Sequence, residues 1–213
     1  VTILVKFPTR GRPDKALEVL SRYHRMESSK HNVWYLVTLD DDDPDAVESF
    51  QARLRALGNM IVRSSGQKRT KVQAINADMD LASGLGWEVL VLASDDMIPK
   101  VQGWDDEIVK EMVGRHAVWL FDGHVRSICT LSIMDRATYE SQGYIYHPAY
   151  ESLWCDNEWT DVANPTFVDR VIIEHEHPLH VGGKRDELLV RNEKAFDRDK
   201  AVYFKRKALG FPK

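Results

Sequence analysis

The chain has 213 residues, enough for one large domain with a well-buried core. Its 43% apolar and 29% charged residues are ordinary for a soluble globular protein, and a net charge of −4 argues against a general nucleic-acid binder. Two cysteines, Cys129 and Cys155, are too few for a disulfide framework, and no stretch approaches the ~18 consecutive apolar residues of a membrane span.

The first stretch, Thr2 to Phe7, reads as a strand, followed by a Gly/Pro-punctuated basic loop, Pro8-Thr-Arg-Gly-Arg-Pro13. A strand opening without a basic-then-apolar leader predicts no signal peptide, and free thiols fit a reducing, cytoplasmic setting. Ala16, Leu17, Leu20 and Tyr23 recur at helical spacing, with Pro13 and Asp14 as start signals. Arg10 and Arg12 before a helix start suit phosphate; the plainer reading is two solvated arginines. Val33 to Leu39 predicts a second strand that runs into Asp40-Asp-Asp-Asp-Pro44. One acid there suits a ribose or base contact, while the others read as caps or solvent-facing groups. A helix from Pro44 with Val47, Phe50, Leu54 and Leu57, stopped by Gly58, leads to a short strand from Met60 to Arg63. The basic loop from Ser64 to Lys71 then enters a helix with Val72, Ile75, Met79 and Ala82 on one face. Lys71 and Asn76 lie near its start, where an anionic group is held well.

The stretch around which the chain is organised comes next: Glu88-Val-Leu-Val-Leu-Ala-Ser-Asp-Asp-Met-Ile-Pro99. A short, β-branched apolar run, Val89 to Ala93, reads as a buried central strand of a parallel sheet. It drives into Asp95 and Asp96, two acids that are costly there without a cation, and a hard divalent metal fits. The plainer reading is a solvated acidic turn. Strand and helix alternate throughout this half, which is the α/β pattern. The half lacks the G-x-G-x-x-G turn of dinucleotide binders and the Lys-Ser/Thr phosphate loop of nucleotide hydrolases.

In the second half, Trp104 to His116 predicts a helix, Ala117 to Phe121 and Ile128 to Met134 strands, and Asp135 to Gln142 a short helix closed by Gly143. Tyr144 to Trp154 is dense in aromatics, as sugar-packing faces and buried packing loops both are. Asp156, Glu158 and Asp161 are candidate general bases, the alternative being that Asp156 caps a helix running to Ala163. Phe167 to Ile173 predicts a strand leading to His175 and His177, two apart on one face, with His180 beyond. Imidazole binds divalent manganese as well as softer metals. Ten Lys/Arg against five Asp/Glu lie between Lys184 and Lys213, in a tail expected as a helix or an ordered flap.

Together these residues resemble the nucleotide-sugar glycosyltransferases of the GT-A fold. The resemblance rests on Phe7-Pro-Thr-Arg10, Leu39-Asp-Asp, Lys71 with Asn76, Val91-Leu-Ala-Ser-Asp-Asp-Met-Ile-Pro99, Asp156-Asn-Glu and the late His175 and His177, in order over residues 3 to 180. It implies a GT-A (Rossmann-like) α/β fold: an open mixed, mostly parallel sheet flanked by helices, in a single domain. Residues 1–100 would form the nucleotide-sugar half, 101–183 the acceptor half, and 184–213 a tail on or over the site. By the same resemblance Pro8, Thr9, Arg10, Arg12, Asp40, Asp41, Lys71, Asn76, Ser94 and Asp95 would bind the donor. Asp96 with His177 or His175 would hold Mn²⁺ or Mg²⁺, and Asp156 would be the base of an inverting enzyme. Ser94 stands where the family's Asp-x-Asp motif has its first acid, which leaves the metal contacts open. The donor is taken as a UDP-sugar; the acceptor would be a glycan, a lipid-linked sugar or a hydroxymethylated DNA base, the last disfavoured by net charge. The competing readings are a sugar-phosphate nucleotidyltransferase and a non-catalytic nucleotide- or sugar-binding domain.

Overall fold

The computed structural model describes residues 1–40, 44–64, 69–178, 182 and 187–213. Asp41 and His180, and residues 65–68 of the basic loop, lie outside that set. The elements in chain order are β1 (Thr2–Thr9), α1 (Pro13–Arg25), β2 (Asn32–Leu39), α2 (Pro44–Arg55), β3 (Met60–Ser64), α3 (Lys71–Asn76), a 3₁₀ helix (Met79–Leu85), β4 (Val89–Leu92) and β5 (Met97–Pro99). They continue with α4 (Trp104–Met112), β6 (Ala117–Leu120), β7 (Ile133–Asp135), α5 (Arg136–Gln142), α6 (Cys155–Ala163), β8 (Thr166–Val168), β9 (Ile173–His175), α7 (Glu187–Glu193) and α8 (Phe196–Ala208).

Among the described residues the main sheet has the order β3-β2-β1-β4-β7-β6-β8. β1 to β4 pair in parallel; β7 is antiparallel to both β4 and β6, and β8 is parallel to β6. The period of two along β1 explains the two layers. Ile3, Val5 and Phe7 pack with α1, α2 and α4 through residues such as Leu20, Leu54 and Trp104. Leu4 points to the other face, with Val72 and Ile75 of α3, Trp159 of α6 and Tyr203 of α8. β4 is buried along its whole length, as expected of a central strand covered on both faces.

Lys6 shares that second face and is fully buried. Its amine donates to the Thr38 hydroxyl and, at 2.7 Å, to the Ala77 carbonyl. That contact corrects the single helix expected through Val72, Ile75, Met79 and Ala82. With the Ala77 carbonyl drawn to Lys6 and the Asp78 carboxylate accepting from Thr38 at 2.7 Å, Asp78 turns left-handed (φ 64°) and the chain re-enters a helix only as a 3₁₀ turn. All four apolar residues are nonetheless buried.

Other boundaries also differ. The helix from Trp104 ends at Met112 instead of His116. The strand expected over Ile128 to Met134 contracts to β7, because only Ile133 to Asp135 face β4. The strand expected from Phe167 to Ile173 is two strands in different sheets. β8 joins β6, and β9 leaves to pair antiparallel with β5. The short β5–β9 sheet sets Met97 opposite His175, and so brings the late histidine beside Asp96, one residue before Met97.

Candidate active site

The carboxyl ends of β1, β2 and β4 open into one cavity of about 410 Å³. This is where ligands of open α/β sheets bind. Pro8, Thr9, Arg10 and Arg12 line it from the end of β1, and Asp40 from the end of β2. Asp40 is buried, and its carboxylate accepts the backbone N–H of Arg69 at 2.8 Å, with the Arg69 guanidinium 3.4 Å away. Burial pushes the Asp40 carboxyl up, and these arginine contacts partly offset that. Lys71 lines the same wall at the start of α3, behind a Thr70–Gln73 capping box.

Ser94, Asp95 and Asp96 form the floor, between β4 and β5. Asp95 is buried beside Arg12, whose Nη1 lies 3.1 Å from Oδ1. Burial raises its carboxyl, and Arg12 pulls against that rise. Asp96 accepts from the Ser94 hydroxyl, and its Oδ2 lies 3.5 Å from Nε2 of His175. Burial alone would raise Asp96. The hydrogen bond and charge of His175, with the Ser94 hydroxyl, outweigh burial and hold it well below the usual carboxylate range. For His175, burial disfavours the charge, but Asp122 and Asp96 win and push it up to about 9. His177 comes two residues later on the same edge, its ring centroid 5.5 Å from that of His175, and also lines the cavity.

Asp156 projects into the cavity from the first turn of α6. It is not the helix cap that one sequence reading allowed; Trp154 holds that position, in a left-handed conformation (φ 62°). Burial pushes its carboxyl up, opposed first by the charge of Lys71. The other two candidate bases are engaged elsewhere. Glu158 is buried against Arg206 of α8, with two contacts of 2.8 Å, and accepts from the Tyr150 hydroxyl at 2.6 Å. Asp161 accepts from Tyr203 at 2.7 Å and Lys207 at 2.9 Å. Neither lines the cavity. Nor does Asn76, whose amide donates to the Tyr146 carbonyl and accepts from the N–H groups of Ile145 and Tyr146. Asn76 ties α3 to the aromatic segment.

Residues singled out from sequence and found around the cavity are therefore Pro8, Thr9, Arg10, Arg12, Asp40, Lys71, Ser94, Asp95, Asp96, Asp156, His175 and His177. Sequence reasoning missed Arg69 and Arg191, which line the wall near Asp40, and Asp122, which faces His175 from behind. An acid directly after a strand was the available signal for Asp122.

Among the described residues no group of three or more His, Cys, Asp and Glu side chains is arranged to enclose an ion. Asp96 and His175 nevertheless offer a carboxylate oxygen and an imidazole nitrogen that face one another. Such a pair suits a divalent ion whose other positions are filled by phosphate oxygens and water.

No family model and no curated protein matches the sequence. Solved structures do match. The mannosyltransferase PcManGT from Pyrobaculum calidifontis, in complex with GDP-Man and Mn²⁺, is 15% identical with a TM-score of 0.60, over 82% of this chain and 56% of that one. Residues 1–349 of S. aureus TarS are 12% identical with a TM-score of 0.65, over 84% and 61%. The same TarS fragment in complex with UDP-GlcNAc is 13% identical with a TM-score of 0.64, over 87% and 59%. The chain thus spans about three fifths of the length of these structures. At these identities the likeness is one of fold, and the fold is GT-A-like.

Proposed function

We propose that the protein is a metal-dependent, inverting glycosyltransferase that moves a sugar from a nucleoside-diphosphate sugar to an acceptor hydroxyl. The observation that carries this reading is convergence: Arg10, Arg12, Arg69 and Lys71, the Asp96–His175 pair and the Asp156 carboxylate all line one cavity. Residues 1–100 bind the donor, with Thr9, Arg10, Asp40 and Arg69 around the nucleoside and Arg12 and Lys71 towards the diphosphate. Asp96 and His175, with His177 beside them, hold Mn²⁺ or Mg²⁺. Bound there, the ion offsets the negative charge that develops on the departing diphosphate.

Asp156 takes the acceptor hydroxyl proton onto a carboxylate oxygen as the hydroxyl oxygen bonds to the anomeric carbon. The bond from that carbon to the diphosphate oxygen breaks on the opposite face, so configuration inverts. The charge of Lys71 opposes the rise that burial imposes on the Asp156 carboxyl, and so favours its basic form. Residues 101–183 contribute the acceptor side, with Val125, Ile128 and Tyr146 as its walls. From the tail, Leu189, Arg191 and Asn192 of α7 line the same cavity. The donors seen with structurally similar proteins carry GDP or UDP, and we take UDP as the first to test. The free, buried cysteines support a reducing compartment such as the cytoplasm.

The test is product stereochemistry. Incubation with an α-linked nucleotide sugar and a hydroxyl acceptor, or water alone, is expected to release β-configured product by proton NMR. Retained configuration would overturn the inverting mechanism.

A further inference from the structure

Asp122 stands behind the site and takes no part in the proposed transfer chemistry. It lies just after β6, is 2% exposed, and does not line the cavity. Its Oδ1 accepts the backbone N–H groups of His124 at 2.8 Å and Val125 at 2.6 Å, and its Oδ2 accepts the Thr130 hydroxyl at 2.6 Å. The turn that allows this needs Gly123, at φ +92°, where a Cβ would lie 3.2 Å from Glu174 Cγ. The Asp122 carboxyl group is therefore built into its loop and fixed in direction.

The same Oδ2 lies 3.8 Å from Nδ1 of His175, a buried ring nitrogen that has no hydrogen bond in this geometry. The opposite nitrogen, Nε2, faces Asp96. The backbone holds this sandwich from both sides. His175 donates its N–H to the Asp122 carbonyl at 2.9 Å, and Glu176 donates its N–H to the Asp96 carbonyl at 2.7 Å. These bonds and the β5–β9 pairing hold the His175 backbone between the two acids, so its ring is presented to both carboxylates. A neutral imidazole offers a metal only one nitrogen, and the other must carry the proton. The side that faces protein is the side of Asp122.

We infer that Asp122 is the positioning carboxylate of the metal site: facing the Nδ1 side of His175, it favours the proton on Nδ1 and leaves the Nε2 lone pair to the ion beside Asp96. This rests on the reading of Asp96 and His175 as metal ligands. Carboxylate–histidine–metal arrangements of this kind tune both ligand direction and basicity.

Asp122→Asn separates this role from loop building. The amide oxygen can still accept from His124 and Val125, and the amide nitrogen can turn to the Thr130 oxygen, while the charge that faces Nδ1 is lost. Binding of Mn²⁺ alone, read by electron paramagnetic resonance at fixed pH, is expected to weaken by about 10–100-fold in the variant. Equal affinity in wild type and variant would overturn the role of Asp122 and leave the metal reading intact. Wild type that binds no Mn²⁺, with or without nucleoside diphosphate, would overturn both. A second measurement needs no variant. In ¹⁵N-histidine spectra of wild type saturated with Mg²⁺, the His175 proton is expected on Nδ1. A proton on Nε2, or a His175 signal unmoved by Mg²⁺, would overturn the inference.

Discussion

At Asp156 two opposed effects act on one carboxyl. Burial favours the neutral acid, and the Lys71 ammonium favours the carboxylate. The net result is a pKa above the ordinary value, so the base is lost by protonation at a pH where an exposed aspartate would still be ionised. If Asp156 is the base, the acid limb of kcat/KM is expected at higher pH than an exposed aspartate would give, with activity rising as pH rises through it. Lys71→Met removes the opposing charge, and the limb is expected to move to still higher pH; a limb that stays put would contradict the assignment. General-base contributions are typically ~10²–10⁴-fold, so Asp156→Asn should lower kcat by about that factor with donor affinity little changed. Transfer rates and donor titration on the same preparation check this. Glu158→Gln is not expected to copy this effect, since Glu158 already faces Arg206 and Tyr150.

At the scale of elements, the site depends on how α8 grips α6. Asp199 of α8 is fully buried and accepts the backbone N–H groups of Glu151, Ser152 and Leu153 just before α6. Asp199→Ala would strand these donors, at a cost of about 1–3 kcal/mol for each buried unsatisfied group. Denaturant unfolding is expected to show a loss of at least about 2 kcal/mol, and a change within a few tenths would show that water replaces the carboxylate. The helices and strands that face the core were legible because their apolar spacing is local: α1 from Ala16, Leu17, Leu20 and Tyr23, and β4 from its unbroken run into Asp95 and Asp96. The break at Asp78 was not, because its cause is Lys6, far away in sequence. The splitting of β8 from β9 was hidden for the same reason: nothing between Phe167 and His175 announces that β5 is the partner. His175 could be nominated from composition, but its place against Asp96 and Asp122 comes only from that pairing.

At the scale of the whole molecule, Lys6 makes global stability depend on pH. Burial lowers its pKa from 10.5 to about 7, against the raising influence of Asp78. Between those two values the unfolded chain holds a proton that the folded chain has released. This group's contribution to stability therefore grows as pH rises from about 7 towards 10, by up to about 1.4 kcal/mol per unit. Lys6→Met removes that dependence. The difference in unfolding free energy between wild type and variant is expected to rise with pH over this window; a flat difference would show that Lys6 stays charged when folded.

On the proposed reading, donor and metal recognition would engage the molecule as a whole, since the cavity draws on β1, β4, α3, α6, α7 and the residue that follows β2. The measurement to make first is thermal unfolding of the wild-type chain with UDP, GDP, ADP and CDP, each with and without Mn²⁺. Stabilisation by one of the diphosphates that appears only with Mn²⁺ is the expected result, because the ion and the diphosphate complete each other's coordination. No stabilisation by any nucleotide, with or without the ion, would contradict the glycosyltransferase reading and leave only a shared fold.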